Sequence, residues 1–246
     1  MDLAKKSLII KRKFIEKYMN MGLYPYSKFY LENIYKRFGE YYKNHFNTIG
    51  IIGMNESMMN FFGSKDKGLA SEEGREFALE VMDHMRERLI KYQEQTGQLF
   101  NLEATPGEGA TYKFAKADKK KFGKDIITAA DIGKSKSDVP YYTNSSQLPV
   151  GMTDDLFETL DLQDEFQCKY TGGTVLHIYM GERITSVDSV KNLVKKIAMN
   201  YKLPYFSITP TFSICPKHGY IAGEHKYCPI CDTERGYKAG MPFDEE

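Results

Sequence analysis

The chain has 246 residues, of which 41% are hydrophobic and 13% aromatic, so it can bury a sizeable core without a metal ion. Its 34 basic and 33 acidic residues give a formal charge of +1, which provides no broad attraction to nucleic acid or to an anionic membrane. No apolar run approaches the roughly 20 residues that span a bilayer, and the N-terminus reads as a helix rather than a signal peptide. We therefore expect a cytoplasmic protein without membrane or nucleic-acid partners.

The N-terminal third predicts alternating helices and strands. An amphipathic helix covers residues 3–21, and Ser27 is placed to cap a second helix that ends before Gly39. A short apolar run bounded by glycines, residues 48–53, is typical of a buried strand, and a helix over 56–62 follows it.

The same alternation continues along the chain. Ser71 begins a long helix that reaches about residue 95, and the later elements are strands over 99–103, 174–180 and 205–209, helices over 153–168 and 186–201, and a lysine-rich surface excursion over 109–138 with a loop around 133–138. Strands and helices in this order indicate an α/β fold. The composition changes only after Pro210, which predicts an α/β body over 1–210 and a metal-binding module with a tail over 211–246.

Four residues near the C-terminus have the spacing of zinc ligands. Cys215 and His218 form one pair, Cys228 and Cys231 form another, and each pair has two residues between its members. Two tight turns can present such donors as a tetrahedron, and cysteines clustered beside histidines favour metal over a disulfide in a reducing compartment. Because the protein fills all four positions, the Zn²⁺ should be structural. His225, three residues before Cys228, is the competing ligand, and ordinary free cysteines are the alternative to a metal site.

Six ordered segments carry a family resemblance. They are Gly22–Ser27 (GLYPYS), Ile49–Glu56 (IGIIGMNE), Asn101–Gly109 (NLEATPGEG), Tyr141–Pro149 (YYTNSSQLP), Thr171–Thr174 (TGGT) and Thr209–Tyr220 (TPTFSICPKHGY). Together they resemble the C-terminal part of the catalytic subunit of the anaerobic, class III ribonucleoside-triphosphate reductase. The resemblance extends from Leu3 to Cys231.

The resemblance implies a fold and a chemistry. That family reduces ribonucleotides to deoxyribonucleotides in a ten-stranded α/β barrel, with a glycyl radical made by an activating enzyme and passed to a cysteine. This chain would be the second half of the barrel, followed by the small zinc module. We expect it to work as part of an oligomer that contains the remaining part of the catalytic subunit.

Two departures from the family pattern matter. The radical cysteine belongs to the first half of the family's barrel, and neither Cys168 nor the three cysteines of the predicted zinc site matches its position. The family's glycyl-radical loop is echoed only faintly around Gly236, five residues after Cys231 and too close to it to reach the barrel centre. Gly236 is therefore interpreted as a turn glycine, and both radical carriers are expected from outside this chain.

Two polar loops are candidates for the substrate pocket. The loop after the predicted strand 99–103 contains Thr105, Gly107 and Gly109 and leads into a helix, so its backbone N–H groups can face a phosphate. The second loop offers Asn144, with Ser145, Ser146 and Gln147 beside it. A tight connection and a plain polar loop are the alternatives, and the family resemblance favours binding of a ribonucleoside triphosphate.

Asn55 and Glu56 follow a predicted buried strand directly, at the end of the strand where α/β barrels place their catalytic residues. A carboxylate there can orient ribose hydroxyls, which makes both residues catalytic candidates, while a helix cap by Asn55 is the alternative.

The sequence supports two main hypotheses. In the first, the chain is part of an anaerobic reductase and inactive alone, as either a split-gene product or a truncated chain, with formate or a dithiol protein as the reductant. In the second, it is a non-catalytic zinc-containing α/β protein, derived from that enzyme, that binds or scaffolds. A zinc-ribbon nucleic-acid binder is disfavoured by the near-neutral charge. Allosteric control is not indicated by any segment.

Overall fold

The computed structural model describes residues 1–132, 139–149, 152–153, 155–180, 186–210, 212–223 and 225–237. Its helices are α1 (Asp2–Asn20), α2 (Pro25–Phe38), α3 (Met54–Phe62), α4 (Glu72–Thr96), α5 (Glu108–Phe122), α6 (Leu156–Lys169), α7 (Val187–Asn200) and α8 (Pro229–Glu234). Its strands are β1 (Phe46–Ile51), β2 (Leu99–Ala104), β3 (Leu176–Met180), β4 (Phe206–Pro210), β5 (Phe212–Cys215) and β6 (Gly219–Ala222). The α/β class predicted from the alternation is confirmed. The loop expected around 133–138 lies outside the described residues.

The chain divides into two compact units. The first contains Met1–Met152 and Glu165–Thr174, and the second contains Thr153–Asp164 and Val175–Glu246. The predicted boundary after Pro210 rests on composition rather than on contacts, and it stays a prediction.

The first unit is built on a parallel pair of strands. β1 pairs with β2 in a register that places Phe46 beside Leu99 and Ile51 beside Ala104, and α3 and α4 form the crossover between them. One face of this pair is buried against the helices, since the core cluster joins β1 and β2 residues to α4 residues: Ile49, Ile51, Phe100, Leu102, Ala78, Met82 and Leu89. The alternating exposure along β1 shows that its other face is open.

Capping side chains and backbone conformation determine where the helices begin. The Ser71 hydroxyl accepts a hydrogen bond from the N–H of Gly74 at 3.1 Å, which confirms it as the cap of α4. The prediction that Ser27 caps α2 is wrong, because that helix begins at Pro25, whose fixed φ suits the first helical position. β1 ends before the predicted residue 53, since Gly53 has a φ of 75° and is the N-cap of α3.

The second unit contains another parallel pair and a hairpin. β3 pairs with β4 with Leu176 beside Phe206, and α7 connects them. Leu160, Leu176, Ile178 and Ile197 form its buried core. β5 and β6 form an antiparallel hairpin, and the short α8 comes after it. Within the described part of the chain, no helix combines the length and apolarity needed to cross a membrane.

Candidate functional site

Each of the two predicted ligand pairs lies on a tight local structure. Cys215 ends β5 and His218 lies in the hairpin turn before Gly219, whose φ of 71° favours glycine there. Cys228 is the N-cap of α8, and its Sγ accepts a hydrogen bond from the N–H of Cys231 at 3.4 Å. The hairpin and α8 thereby place four donors, Cys215, His218, Cys228 and Cys231, within 4.8 Å of one another.

The separations between the donors fit a zinc ion. A tetrahedral zinc ion with ordinary bond lengths separates two sulfurs by about 3.8 Å and a sulfur from a nitrogen by about 3.6 Å. The Sγ atoms of Cys215 and Cys231 are 3.7 Å apart, and His218 Nδ1 lies 3.6 Å from Cys215 Sγ. The same nitrogen lies 3.4 Å from Cys228 Sγ and 3.4 Å from Cys231 Sγ. The cluster can therefore hold a metal such as zinc with His218 Nδ1 as its nitrogen ligand.

A carboxylate orients the histidine. Nε2 of His218 lies 3.2 Å from Oε1 of Glu234, and Glu234 also pairs with Lys217. A proton on Nε2 leaves Nδ1 free as a ligand, which is the arrangement that zinc-binding histidines use. Lys217 and His218 hold the pKa of the Glu234 carboxyl below its ordinary value, so it is an acceptor at neutral pH. The spacing of the cysteines gave no signal for Glu234.

Proton affinities within the cluster are unequal. Backbone N–H groups of His218 and Lys217 lower the pKa of the Cys215 thiol to about 6. Burial and the neighbouring sulfurs raise the pKa of the Cys231 thiol to about 11. Sulfurs this close cannot all ionise without a cation among them, and a bound metal replaces their protons.

The competing ligand His225 lies elsewhere. Its backbone N–H donates to the Ser213 hydroxyl at 2.8 Å, and it is not among the donors that come together. Gly236, interpreted from the sequence as a turn glycine, follows α8 with a φ of 82° and donates its N–H to the Thr233 carbonyl at 3.0 Å, as a turn glycine does.

Asn55 and Glu56 lie in the first turn of α3, where β1 gives way to the helix, and both are fully buried. Oδ1 of Asn55 accepts a hydrogen bond from the N–H of Leu69 at 3.0 Å, and its Nδ2 donates to Glu56 at 3.1 Å. The Glu56 carboxylate also accepts bonds from the N–H and the hydroxyl of Thr143, at 2.9 Å and 2.5 Å. The structure therefore connects Glu56 to the polar loop, and its catalytic role stays a prediction.

The phosphate-loop candidates lie between β2 and α5. The hydroxyl of Thr105 fills the space beside Gly50. A Cβ added at Gly50 would lie only 1.6 Å from Oγ1 of Thr105. Gly107 is buried and precedes α5, while Gly109 lies in the exposed first turn, where an added Cβ meets nothing within 4 Å. Glu108 between them has a φ of 40°, an uncommon conformation for a residue with a side chain, and its side chain is exposed.

The two predicted loops meet. Oδ1 of Asn144 accepts a hydrogen bond from the N–H of Gly107 at 2.8 Å, and Ser145 has a φ of 44°. Ser146 is fully buried and accepts a bond from the hydroxyl of Tyr170 at 2.8 Å. Gln147 donates its N–H to the Asn144 carbonyl at 3.0 Å, closing a turn. Tyr170 was not predicted as part of this region, since nothing in its local sequence distinguishes it.

Comparisons with known proteins identify relatives. The family model described as "Anaerobic ribonucleoside-triphosphate reductase" matches residues 1–239. The reductase of that name from Haemophilus influenzae is 26% identical over 201 residues, which cover 79% of this chain and 27% of that protein. Its counterpart from Escherichia coli is 25% identical over 191 residues, 75% of this chain and 25% of that protein. The chain thus spans about a quarter of the length of these curated relatives.

Solved structures of anaerobic ribonucleotide reductases also resemble this chain. The anaerobic ribonucleotide reductase from Thermotoga maritima with MES in the active site matches with a TM-score of 0.67 and 28% identity, over 94% of this chain and 35% of that chain. The same enzyme in complex with dATP and CTP matches with a TM-score of 0.67 and 26% identity over the same shares. The resemblance predicted from the ordered segments is confirmed. Because the family model matches nearly the whole chain, this protein belongs to the anaerobic ribonucleoside-triphosphate reductase family.

Proposed function

We propose that this chain is the C-terminal part of the catalytic subunit of an anaerobic ribonucleoside-triphosphate reductase and serves the conversion of ribonucleotides to deoxyribonucleotides. The observation that carries the proposal is the family match over residues 1–239. The chain covers only about a third of the Thermotoga structures. In the proposed enzyme this chain functions together with the remaining part of the catalytic subunit, which these 246 residues do not contain.

The open strands support a half-barrel. Among the described residues, β1–β2 and β3–β4 are each parallel sheets of only two strands. Parallel strands are normally buried in larger sheets, because helices or further strands cover both their faces and edges. We propose that strands from the remaining part of the subunit complete a ten-stranded α/β barrel with these pairs.

An exposed aromatic surface supports the same partner. In α2 no residue is buried, and Tyr26, Phe29 and Tyr30 expose 82%, 73% and 77% of their surface. Three neighbouring aromatic side chains at this exposure are unusual on a protein that works alone, and such patches mark interfaces. We assign this α2 patch to contact with the remaining part of the catalytic subunit.

The radical carriers come from outside this chain in the proposed enzyme. Three of the four cysteines, Cys215, Cys228 and Cys231, belong to the metal cluster. Cys168 lies near the end of α6, and the family resemblance does not match it to the radical cysteine. A radical-generating activating enzyme is accordingly a second partner, acting on a glycine supplied by another polypeptide. The reductant is formate or a dithiol protein.

The N-terminus of α5 is the proposed triphosphate site. The backbone N–H groups of Glu108 and Gly109 have no hydrogen-bond partner among the described residues, and a helix N-terminus favours anions. In this proposal Thr105 and Gly107 border the path by which the phosphates reach these N–H groups. We assign the facing wall of the proposed pocket to the loop of Asn144, Ser145, Ser146 and Gln147, of which Asn144 is the exposed residue.

Asn55 and Glu56 complete the proposed pocket at the end of β1. Because their side chains are buried and already hydrogen-bonded, a direct catalytic role requires that substrate or the rest of the barrel rearranges them. Shaping the pocket requires no such change, and the contacts support it more strongly.

The zinc ion in this proposal is structural. Cys215, His218, Cys228 and Cys231 would hold it, and it would cross-link the β5–β6 hairpin to α8 without an open coordination position. The ion takes no part in the reduction. We propose a cytoplasmic location and an oligomeric enzyme for the assembled protein, in line with the family.

Native mass spectrometry of the protein purified from its source tests this proposal. We expect one zinc ion and a partner chain that carries the remaining part of the catalytic subunit. The isolated chain should form no deoxyribonucleotide and no glycyl radical after anaerobic treatment with an activating enzyme. A doublet radical signal that is lost in Gly236→Ala would contradict the proposal. A zinc-loaded chain whose partners lack the reductase sequence would favour the alternative, a non-catalytic α/β scaffold or binding protein.

A further inference from the structure

A buried carboxylate connects two segments of the first unit that are far apart in the sequence. Glu56 is fully buried on α3, and Thr143, 87 residues away, donates both its backbone N–H and its hydroxyl to the two carboxylate oxygens. A third donor is the Nδ2 of Asn55 at 3.1 Å. Removing a carboxylate from water is costly, so its stability here depends on these neutral donors and on the positive end of the α3 dipole.

The same segment is held on its other side by the backbone of the β1–α3 turn. The N–H of Gly53 donates to the Thr143 carbonyl at 2.8 Å, and the N–H of Met54 donates to the Ser145 carbonyl at 3.0 Å. Ser145 has a φ of 44°, a conformation that persists only where the surroundings hold it in place. The backbone on both sides of Asn144 is therefore fixed from α3.

Asn144 is the outward-facing residue of this segment. Its side chain is exposed, and its Oδ1 accepts the hydrogen bond from the N–H of Gly107 at 2.8 Å. Gly107 immediately precedes α5, whose first N–H groups form the proposed triphosphate site. The buried side of residues 143–145 is thus hydrogen-bonded to Glu56, and the exposed Asn144 is hydrogen-bonded to the residue before the N-terminus of α5.

We propose that Glu56 is a positioning residue, which fixes Thr143 and thereby holds the Asn144 side chain against the N-terminus of α5. Glu56 acts through Thr143 and does not touch the ligand. The chain of contacts runs from the buried carboxylate through Thr143 and Asn144 to the Gly107 N–H. The link to nucleotide binding rests on the proposed function, whereas the positioning itself can be measured without a ligand.

The test is amide hydrogen exchange in the intact 246-residue chain, with Thr143→Val as the first variant. Valine keeps the shape of threonine and the backbone bond to Glu56, and it removes only the hydroxyl donor. We expect exchange of the Gly107 amide to accelerate by about tenfold or more, as expected for the loss of a hydrogen bond to a charged group. Asn144→Ala should accelerate the same amide, and the double variant should add little beyond the larger single effect.

Thr128→Val is the matched control. Thr128 is also fully buried and also donates its hydroxyl to a carboxylate, that of Asp131 at 2.8 Å. The Thr128→Val variant should leave the exchange rate of the Gly107 amide unchanged. Unchanged Gly107 exchange in a folded Thr143→Val variant would overturn the proposal, and so would equal acceleration throughout the first unit in both variants, since that outcome indicates a general loss of stability. If Thr143→Val does not fold, Glu56→Asp provides the same comparison by withdrawing the carboxylate one methylene group.

Titration with CTP distinguishes a failure of the proposed triphosphate site from a failure of the positioning role of Glu56. If the unaltered chain or the assembled enzyme binds CTP, Thr143→Val should raise the dissociation constant about tenfold and Thr128→Val should not. Absence of CTP binding to the unaltered assembled enzyme would count against the proposed triphosphate site, and it would leave the exchange comparison valid.

Discussion

Glu234 accepts a hydrogen bond from the ring nitrogen of His218 that faces away from the cysteines. The sequence predicted the four ligands because their spacing repeats and because thiolates and imidazole suit zinc. It favoured His218 over the competing His225 because His218 and Cys215 repeat the spacing of the second pair, and the hairpin geometry brings His218 to the sulfurs. The role of Glu234 could not be predicted, since it depends on how α8 is placed beside the hairpin turn.

At this scale the first prediction concerns zinc content. The purified chain should contain one zinc per molecule, and replacing both Cys228 and Cys231 by Ser should abolish binding, because two of the four donors are lost. Cys168→Ser is the control and should keep the zinc, since Cys168 lies outside the cluster. Elemental analysis by mass spectrometry measures this. Zinc retained in the double variant, or none in the unaltered chain, would contradict the assignment.

A second prediction at residue scale concerns the orienting carboxylate. Glu234→Gln should keep all four ligands and weaken zinc affinity by about 10- to 100-fold, as is typical when a residue that orients a metal-binding histidine is lost. Competition with a chelator at fixed pH measures the affinity. An affinity equal to that of the unaltered chain would show that the contact to His218 does not support the metal.

The third prediction separates the two glycines of the β2–α5 loop. A Cβ at Gly107 would lie 2.3 Å from the Thr111 methyl, whereas one at Gly109 meets nothing within 4 Å. Gly107→Ala should therefore lower the free energy of unfolding by about 1 to 3 kcal/mol, and Gly109→Ala should be neutral or slightly stabilising. Chemical denaturation of both variants tests this. Equal stability of the two variants would show that the loop relaxes more easily than its packing indicates.

At the scale of elements, the order of helices and strands could be predicted because apolar periodicity and glycine boundaries are local signals. The end of β1 was misplaced by two residues and the N-cap of α2 by three, because Gly53 and Pro25 act through backbone conformation rather than through hydrophobicity. The connection of the two polar loops could not be predicted. It depends on hydrogen bonds between residues 87 and 37 positions apart, and periodicity carries no information about such pairs.

The capping residues give an element-scale prediction. Ser71→Ala should lower the free energy of unfolding by about 1 kcal/mol, because its hydroxyl holds the N–H of Gly74 at the start of α4. Ser27→Ala is the comparison and should have a smaller effect, since Ser27 lies inside the first turn of α2 and not at its cap. Urea denaturation of the two variants shows which of the two serines acts as a helix cap. A larger loss in Ser27→Ala would restore the capping role that the sequence predicted.

At the scale of the whole molecule, the exposed α2 patch of Tyr26, Phe29 and Tyr30 is the surface that we propose for contact with the remaining part of the catalytic subunit. Phe29→Ser should leave the melting temperature of the isolated chain nearly unchanged, because the side chain is exposed there, and should weaken association with the remaining part of the catalytic subunit. Lys36→Ser, on the same helix and exposed, is the control. Sedimentation of the mixed polypeptides measures association, and equal association of both variants would place the interface elsewhere.

The central claim is that this chain completes a ribonucleoside-triphosphate reductase. The most direct measurement is anaerobic formation of dCTP from CTP by three components: this chain, a polypeptide with the remaining part of the catalytic subunit, and the activating enzyme. A reductant is supplied with them. We expect product only when all three components are present, and omission of this chain should abolish it. Product formed equally well without this chain, or no product from a stable complex that carries the glycyl radical, would contradict the claim.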